Sequence, residues 1–156
     1  MIGYDGHKKV KGSKVHAAVT SDALPLSIAI GRANEHDSRK LIPLMRDISI
    51  ETEARPRSRP NEVYADSAYD TFIIRCYLGR RRIKPQIPIR SRRRHQGRHM
   101  SFDETAYKKH RSSVERFFSM LKGGFRRLAI RYERIASTFL GLVQIACFFI
   151  HWRVLK

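Results

Sequence analysis

The sequence predicts an α/β fold in which helices flank a mixed sheet. The chain opens with two segments typical of a hairpin, and behind them short apolar runs alternate with segments of helical periodicity. Such an alternation is typical of a sheet that is covered by helices. The 156 residues, 42% of them hydrophobic, suit one domain with a substantial core. We therefore expect a single domain over residues 1–156.

The first part of the chain predicts a hairpin followed by a helix. Two paired strands are expected here. Residues 14–22 (KVHAAVTSD) are enriched in β-branched side chains, and residues 24–33 (LPLSIAIGRA) alternate, with Leu26, Ile28 and Ile30 on one side. A helix is expected next, with Asp37 or Ser38 as its N-cap. The apolar residues at helical spacing that define it are Leu41, Ile42, Leu44, Met45 and Ile48. Pro43 fits this helix only in the first turn, where the missing N–H does no harm.

The middle of the chain alternates between strand and helix before it becomes helical. After a loop rich in Pro and Arg, the predicted elements are a strand in 63–70, a helix in 70–83, a strand in 84–89, and helices over 103–122 and 125–155. The helix in 70–83 is expected to bury a stripe formed by Phe72, Ile73, Cys76 and Tyr77.

The C-terminal segment FLGLVQIACFFIHWRVL predicts a buried helix. It is short for a membrane span, which needs about 20 apolar residues. Polar residues also interrupt it, at Gln144, His151 and Arg153. Its aromatic residues Phe148, Phe149 and Trp152 are most simply interpreted as core.

Charge is the strongest compositional signal. The chain has 32 Lys plus Arg against 14 Asp plus Glu, a formal net charge of +18, and such a field attracts polyanions. Nucleic acid is the expected partner, because each neutralised phosphate releases counterions and so adds affinity. A membrane-surface helix would segregate its basic residues on one face, whereas here they are spread over loops and several elements. We therefore expect DNA or RNA contacts and no membrane.

Other compositional features exclude several classes of protein. Cys76 and Cys147 lie far apart and have no neighbouring cysteine, which argues against a disulfide scaffold and against a zinc knuckle. The opening residues contain no apolar signal-peptide core. The expected location is therefore the reducing cytoplasm.

A polar stripe on the 103–122 helix is the first candidate site. Tyr107, Arg111, Glu115 and Lys122 are separated by 4, 4 and 7 residues, so they lie within roughly 80° of one helix face. The simpler alternative is an ordinary i, i+4 ion pair between Arg111 and Glu115 on a solvated helix. Asp66, which ends the strand in 63–70, has a similar alternative as a turn residue.

Three blocks of sequence carry a resemblance to a known family. They are GYDGHKKVKGSKVHAAV (3–19), VYADSAYD (63–70) and HRSSVERFFSMLKGGFRRLAIRYERI (110–135). In this order they resemble the DDE-class transposases of bacterial and archaeal insertion sequences. The resemblance implies a ribonuclease H-like catalytic fold that cuts and transfers DNA strands at element ends, by metal-assisted attack on a phosphodiester.

The resemblance also implies roles for individual residues. Asp66 would be the second acid of the catalytic triad and Glu115 the third, both as ligands of Mg²⁺ or Mn²⁺. Carboxylates suit these ions, which prefer hard oxygen ligands. The residues expected to contact DNA are Lys8, Lys9, Lys11, Lys14, Tyr107, Arg111, Lys122, Arg126 and Arg127. Tyr107 lies one residue further from Arg111 than the family pattern has it.

The family's first catalytic Asp has no match in this chain. Asp5 and Asp22 have adequate explanations as turn residues. We therefore expect an N-terminally incomplete chain that lacks the first strand, as a fragment, a decayed copy or the downstream frame of a frameshifted element. Cleavage by this chain alone should then be impaired. An upstream polypeptide that supplies the strand, and a homodimer, are open as partners beside element-end and target DNA.

Two other functions stay open at this point. A non-catalytic nucleic-acid-binding protein derived from a transposase would explain the charge but would make the settings of Asp66 and Glu115 accidental. A toxin-like nuclease would cut DNA without the joining reaction. Each of these functions is consistent with a prokaryotic cytoplasmic protein that is associated with the nucleoid.

Overall fold

The computed structural model describes residues 2–6, 9–89 and 102–154. In chain order the elements are β1 (Gly3–Asp5), β2 (Val10–Val19), β3 (Pro25–Arg32), α1 (Ser38–Asp47), β4 (Glu62–Tyr64), α2 (Phe72–Arg80), β5 (Lys84–Gln86), α3 (Glu104–His110), α4 (Ser113–Gly124) and α5 (Ala136–Val154). They divide between two compact units, Met1–His36 with Ser113–Lys156, and Asp37–Ser112. The α/β class is confirmed, while the single domain over 1–156 stays a prediction.

An antiparallel sheet forms the base of the first unit. Its strand order is β1-β2-β3, and the predicted hairpin is confirmed by the pairing of β2 with β3. Val15 lies opposite Ile30 and Ala17 opposite Ile28 in this pairing. A shift of register between Ala18 and Val19 ends the regular ladder before the turn.

Helices α4 and α5 pack on this sheet and complete the core of the first unit. The buried residues of the cluster are Ala23, Ile30, Phe117, Leu121, Phe139, Val143, Ala146, Cys147 and Ile150. The start of α4 is also fixed by hydrogen bonds, since Ser113 Oγ donates to the Ser21 carbonyl at 2.9 Å and Arg116 Nη2 donates to the same oxygen at 2.6 Å. Apolar burial and these bonds together hold α4 to the turn between β2 and β3.

The outer face of α5 departs from the prediction of a buried helix. Phe148, Phe149 and Trp152 are 61%, 46% and 53% exposed, so their assignment to the core is wrong. The buried residues of α5 recur at intervals of three or four, as on one stripe of a helix. Apolar residues occur all around this helix, and the sequence pattern alone therefore does not mark the inner stripe.

The length and composition of α5 would also allow a membrane span. It is the one helix among the described residues that passes this test. This is a weak indication, because the core helix of a soluble protein passes the same test. In this unit one stripe of α5 packs into the core.

The second unit is built around a short parallel sheet. Strands β4 and β5 pair in parallel, with Val63 opposite Pro85. Helices α1 and α2 bury the apolar residues Leu41, Leu44, Met45, Ile48, Ile74, Leu78, Ile83 and Ile87 together with the chain that enters and leaves β5. The described strands thus fall into one antiparallel and one parallel sheet, and the ribonuclease H-like arrangement stays a prediction.

The phase of α2 differs from the prediction. Phe72 and Ile73 are exposed, whereas Ile74 and Leu78 are buried. The side chain of Thr71 caps the helix by accepting a hydrogen bond from the Ile74 N–H at 3.3 Å. The buried stripe therefore contains the i, i+4 pair Ile74 and Leu78, and the predicted stripe of Phe72, Ile73, Cys76 and Tyr77 is wrong at its first two positions.

Helix α1 contains Pro43 outside the first turn, the part of the helix in which the sequence pattern predicts it. Pro43 lies in the second turn, because the helix begins at Ser38. Its exposed position lets water reach the backbone carbonyl that the missing N–H leaves unpaired. Asp37 occupies the N-cap position but makes no capping hydrogen bond with its side chain.

The two long C-terminal helices of the prediction are interrupted. The predicted 103–122 helix is divided into α3 and α4 at Arg111 and Ser112, where the hydroxyl of the following Ser113 donates to the distant Ser21 carbonyl. The predicted 125–155 helix contains only a 3-10 turn, Arg126–Leu128, before α5 begins. Arg131 explains this second break, because its guanidinium donates to the side chain of Ser13 and to the carbonyls of residues 133 and 134.

Candidate active site

Asp66 follows β4 and opens a 3-10 turn, Ser67–Tyr69. Its Oδ1 accepts a hydrogen bond from the Ala68 N–H at 2.7 Å. The side chain is exposed, and within the described part of the chain Oδ2 accepts no hydrogen bond. Asp66 is therefore a turn residue, as the simpler alternative held, but the turn uses only one of its two oxygens. The turn also fixes the direction in which the carboxylate points.

Glu62, the acid on β4, is bound by side chains of the two strands of the sheet. Glu62 Oε2 accepts from the Tyr64 hydroxyl at 2.6 Å, and Lys84 Nζ lies 3.1 Å from Oε1. The Tyr64 hydroxyl and Lys84 lower the pKa of Glu62. The same hydrogen bond to Glu62, aided by burial, raises the pKa of Tyr64 to about 12. Glu62 is thus ionised and held by the neighbouring strand.

A buried glutamine links this sheet to the start of α3. Gln86 Nε2 donates to Glu62 Oε2 at 3.4 Å, and its Oε1 accepts from the Asp103 N–H at 2.9 Å. Asp103 in turn caps α3, since its Oδ1 accepts from the Ala106 N–H at 2.9 Å. Strand β5 and α3 are therefore joined by a satisfied polar network. Sequence reasoning did not find this network, because Gln86 carries no pattern signal.

The second aspartate of the VYADSAYD block has a structural role. Asp70 is buried, and Arg75 Nε donates to its Oδ1 at 2.7 Å. Arg75 Nη2 also donates to the Ile87 carbonyl at 3.1 Å, which ties α2 to the end of β5. A buried carboxylate with such a partner is a fixed structural ion pair. Within one block of eight residues, Asp70 is thus enclosed and Asp66 is exposed.

Tyr69 is the last residue of the 3-10 turn that Asp66 opens. Burial raises the pKa of Tyr69 to about 12, and the charges of Asp37 and Asp66 add to the effect. The phenol therefore stays protonated at neutral pH. The ring of Tyr69 is half-buried, whereas Asp66 in the same turn is exposed.

Glu115 lies in the first turn of α4. It is exposed, on the side of the helix that faces away from the buried Phe117 and Leu121. Its carboxylate forms no hydrogen bond or ion pair with any other residue in the described ranges. The positive end of the helix dipole favours a carboxylate at this position. Phe117 and Leu121 are buried and Phe118 packs against them, while Val114 lies at the surface.

The two candidate acids belong to different units. Asp66 lies in the second unit and Glu115 in the first. Among the described residues, no group of three or more His, Cys, Asp or Glu side chains could hold a metal ion. Each acid alone offers exposed carboxylate oxygens, the ligand type that Mg²⁺ prefers. Their assignment as metal ligands stays a prediction.

The predicted DNA-binding lysines near the N-terminus differ in their availability. Lys8 lies outside the described residues. Lys9 and Lys11 are exposed, in the turn before β2 and on β2. Lys14 is half-buried, and its Nζ donates to the Glu35 carbonyl at 3.3 Å. Lys9 and Lys11 are therefore better placed than Lys14 to neutralise a phosphate.

The basic residues around α4 are mostly exposed. Lys122, Arg126 and Arg127 are exposed in the first unit, and Arg127 Nε lies 3.4 Å from Glu133 Oε1. Arg111 is exposed at the C-terminal end of α3, where its N–H donates to the Tyr107 carbonyl at 2.9 Å.

Tyr107 differs in burial from the other residues of the predicted polar stripe. Tyr107 is half-buried, and its ring lies 5.4 Å from the ring of Phe102. Because α3 ends before Ser113, the stripe of Tyr107, Arg111, Glu115 and Lys122 does not lie on one helix. The prediction of one continuous helix face is therefore wrong. Arg111, Glu115 and Lys122 are nevertheless each exposed.

Comparisons with known proteins place these features in a family. Residues 2–149 match the family described as "Transposase DDE domain". A protein named as a transposase for insertion sequence element IS402, from Burkholderia cepacia, is 35% identical over 147 residues. The match covers 93% of this chain and 65% of that protein, so the chain spans less than two thirds of that curated relative.

A second relative is matched over nearly its whole length. This protein, named as a transposase for insertion sequence element IS6501 of Brucella ovis, is 29% identical over 136 residues, which cover 86% of this chain and 94% of the relative. No solved structure matches the chain. The family match covers almost the whole sequence, including both candidate acids. The chain therefore belongs to the transposase DDE domain family.

Proposed function

We propose that the chain is the catalytic part of an insertion-sequence transposase, and that Asp66 and Glu115 contribute metal ligands for cutting and joining DNA at element ends. One observation carries this proposal. In a chain of this family, the two acids named by the resemblance are exposed, whereas the neighbouring acids Glu62 and Asp70 are engaged by Tyr64, Lys84 and Arg75. The structure thus leaves available the carboxylates that the proposal needs.

The chemistry explains why carboxylates and cations are combined. Asp66 and Glu115 would hold divalent metal, which when bound would supply activation of the attacking oxygen and stabilisation of the leaving oxygen of the phosphodiester. Asp66 would offer its second oxygen while the Ala68 N–H holds the first. Arg111 and Lys122 would stabilise negative charge on phosphates near the cleaved bond. Lys9 and Lys11 would position the DNA backbone without reading its sequence.

Cleavage by the 156-residue chain alone should be weak. No third acidic ligand accompanies Asp66 or Glu115 among the described residues. The proposal therefore assigns the missing ligand to an upstream polypeptide, or to an assembly such as a homodimer at the element ends. Since the substrate is chromosomal DNA, we place the protein in the prokaryotic cytoplasm in association with the nucleoid.

Metal-directed backbone cleavage tests whether the two acids share an ion. Fe²⁺ bound in place of Mg²⁺ generates hydroxyl radicals with ascorbate and peroxide, and these cut the polypeptide next to the metal. The proposal expects cuts near both residue 66 and residue 115, lost together in Asp66→Asn and in Glu115→Gln. Asp22→Asn and Glu104→Gln remove exposed acids elsewhere and should leave the pattern unchanged. Cuts near only one of the two acids would contradict the proposal.

A DNA assay tests the reaction itself. The substrate carries the terminal repeats of the element, and the upstream region is supplied as a separate polypeptide with Mg²⁺ or Mn²⁺. Strand cleavage and joining should appear with the unsubstituted chain and be lost in Asp66→Asn and Glu115→Gln, while DNA binding is largely kept. Binding without any cleavage would favour the non-catalytic nucleic-acid-binding protein. Cleavage without joining would favour a nuclease.

A further inference from the structure

The outer face of α5 presents aromatic rings to solvent. Phe148, Phe149 and Trp152 are each about half exposed or more. They lie on the side of α5 away from the buried stripe that contains Val143 and Ile150. Three large aromatic side chains on one exposed face are unusual, because such residues normally bury most of their surface. Part of each of these rings can therefore be contacted from solvent.

The rings form a continuous series. Phe125, which follows α4, lies 6.3 Å from Phe149 between ring centroids. Phe149 lies 5.7 Å from Phe148, and Phe148 lies 6.2 Å from Trp152 in a stacked orientation. We call these four residues the aromatic series. It belongs entirely to the first unit, and it does not include either candidate catalytic acid.

Positive charge lies beside the aromatic series. A Cβ on Gly124 would be 3.6 Å from the guanidinium of Arg153, so this cation lies over the end of α4, next to Phe125. Arg126 and Lys122 are exposed on either side of Phe125 in sequence. Aromatic rings beside cations are the combination that proteins use to bind single-stranded nucleic acid, whose bases stack while its phosphates meet the cations.

We propose that the aromatic series binds unpaired DNA bases by stacking. Charge selects this occupant over a second copy of the chain, since two copies paired through this face would bring together the exposed Lys122, Arg126 and Arg153 of each. The inference deepens the proposed handling of DNA, because it names the form of DNA and a place away from the two acids. It does not depend on metal or on cleavage. Unpaired bases arise where a strand is opened for cutting, and this face would hold them.

Trp152 gives a direct readout, because it is the only tryptophan in the chain. A short oligodeoxythymidylate, added to the full chain in the presence of a metal chelator, should quench the Trp152 emission as a base stacks on the indole. An abasic strand of equal length carries the same phosphates without bases. It should bind more weakly and leave the emission unchanged. Binding of both strands without quenching would overturn the inference.

Substitutions separate stacking from apolar packing. Trp152→Leu and Phe148→Leu keep apolar bulk and lose the ring face, so each should weaken binding of labelled oligodeoxythymidylate between about 5-fold and 150-fold. Trp152→Phe keeps a ring face and should stay close to the unsubstituted affinity. Phe72→Leu makes the same change at an exposed ring of the second unit and should have no effect. Equal affinities in all four variants would overturn the inference.

Other occupants would give different results, and each would overturn the inference. A second copy would make the Trp152 emission depend on protein concentration, with no response to DNA. Vesicles of anionic phospholipid would shift the emission to the blue if the face met a membrane. Binding of duplex DNA, measured in parallel, distinguishes a failure of the aromatic site from a failure of the proposed function. A chain that binds duplex but does not respond to unpaired bases refutes the aromatic site alone, whereas loss of all DNA binding refutes both.

Discussion

The turn after β4 and the outer face of α4 each expose an acid, Asp66 and Glu115, but different interactions hold the two acids in position. Asp66 is held by a backbone hydrogen bond, in a turn that is followed by the buried Asp70 and its ion pair with Arg75. Glu115 makes no such bond within the described residues, and beneath it lies the apolar core around Phe117. One acid is thus positioned by polar interactions and the other by the packing of its helix. The two positions should respond to different perturbations.

The difference shows how a short block can hold acids of opposite roles. In VYADSAYD, Asp66 and Asp70 are four residues apart, but only Asp70 is buried, where it pairs with the half-buried Arg75. A buried carboxylate without its partner is costly, while an exposed one is not. The pair therefore supports the turn, and the turn presents Asp66. On α4, by contrast, the position of Glu115 follows from how its helix is held, by apolar burial and by the hydrogen bonds of Ser113 and Arg116 to the Ser21 carbonyl.

The largest effect is expected from breaking the ion pair. Arg75→Met keeps the apolar stem and removes the guanidinium that pairs with the buried Asp70 carboxylate, so the free energy of unfolding should fall by about 3–5 kcal/mol. Chemical denaturation measures this change. Arg80→Met removes an exposed arginine from the same helix and should change stability by less than about 0.5 kcal/mol. A small loss in both variants would mean that the pair does not support the turn.

A core truncation in α4 should come next in size. Leu121→Ala removes a buried side chain beneath the helix and should lower the free energy of unfolding by about 2–5 kcal/mol. The neighbouring Met120→Ala, at the surface, is the matched control, with a change below about 0.5 kcal/mol. Denaturation followed by circular dichroism compares the two. Equal losses would show that α4 is not held by its inner face.

The Glu62 network should make stability depend on pH. The pKa of Glu62 is lowered in the folded chain by Tyr64 and Lys84, so its stabilisation is present above the ordinary glutamate pKa and lost as the pH falls through the lowered value. Glu62→Gln should therefore cost about 1 kcal/mol at neutral pH and progressively less below pH ~4. Denaturation at several pH values tests this. A difference between the two proteins that persists in acid would contradict the assignment.

The smallest effects concern the two cysteines, one in each unit. Burial raises the pKa of Cys147 to about 11, so this thiol should react slowly with a disulfide reagent at neutral pH. Cys76 is partly exposed and should react faster. Arg75→Met should then accelerate labelling of Cys76 alone, and Leu121→Ala labelling of Cys147 alone. Acceleration of both thiols by either variant would mean that the two regions open together.

Local patterns predicted much of the chain correctly. The hairpin of β2 and β3, the helix α1 and the strand that leads to Asp66 follow from alternation, helical spacing and turn residues near one another in sequence. The candidate acids and cations came from three blocks that resemble one family, and the family match over residues 2–149 confirms that resemblance. The predicted roles of Asp66 and Glu115 stay predictions.

Contacts between distant residues account for the failures. The interruption before α5 arises where Arg131 reaches Ser13, 118 residues away in sequence. The start of α4 depends on the Ser21 carbonyl, 92 residues from Ser113. Neither partner could be assigned from local periodicity. The exposure of Phe148 and Trp152 likewise depends on which side of α5 meets the sheet.

The sequence by itself determined the family, the excess of positive charge and the order of most elements, because composition and short-range spacing carry this information. Tertiary structure alone decided that Asp70 is enclosed while Asp66 is exposed, and that α5 turns aromatic rings outward. The physical reason is that burial is set by partners brought together from separate parts of the chain. A side chain's free energy of burial depends on those partners, and they do not appear in its own segment.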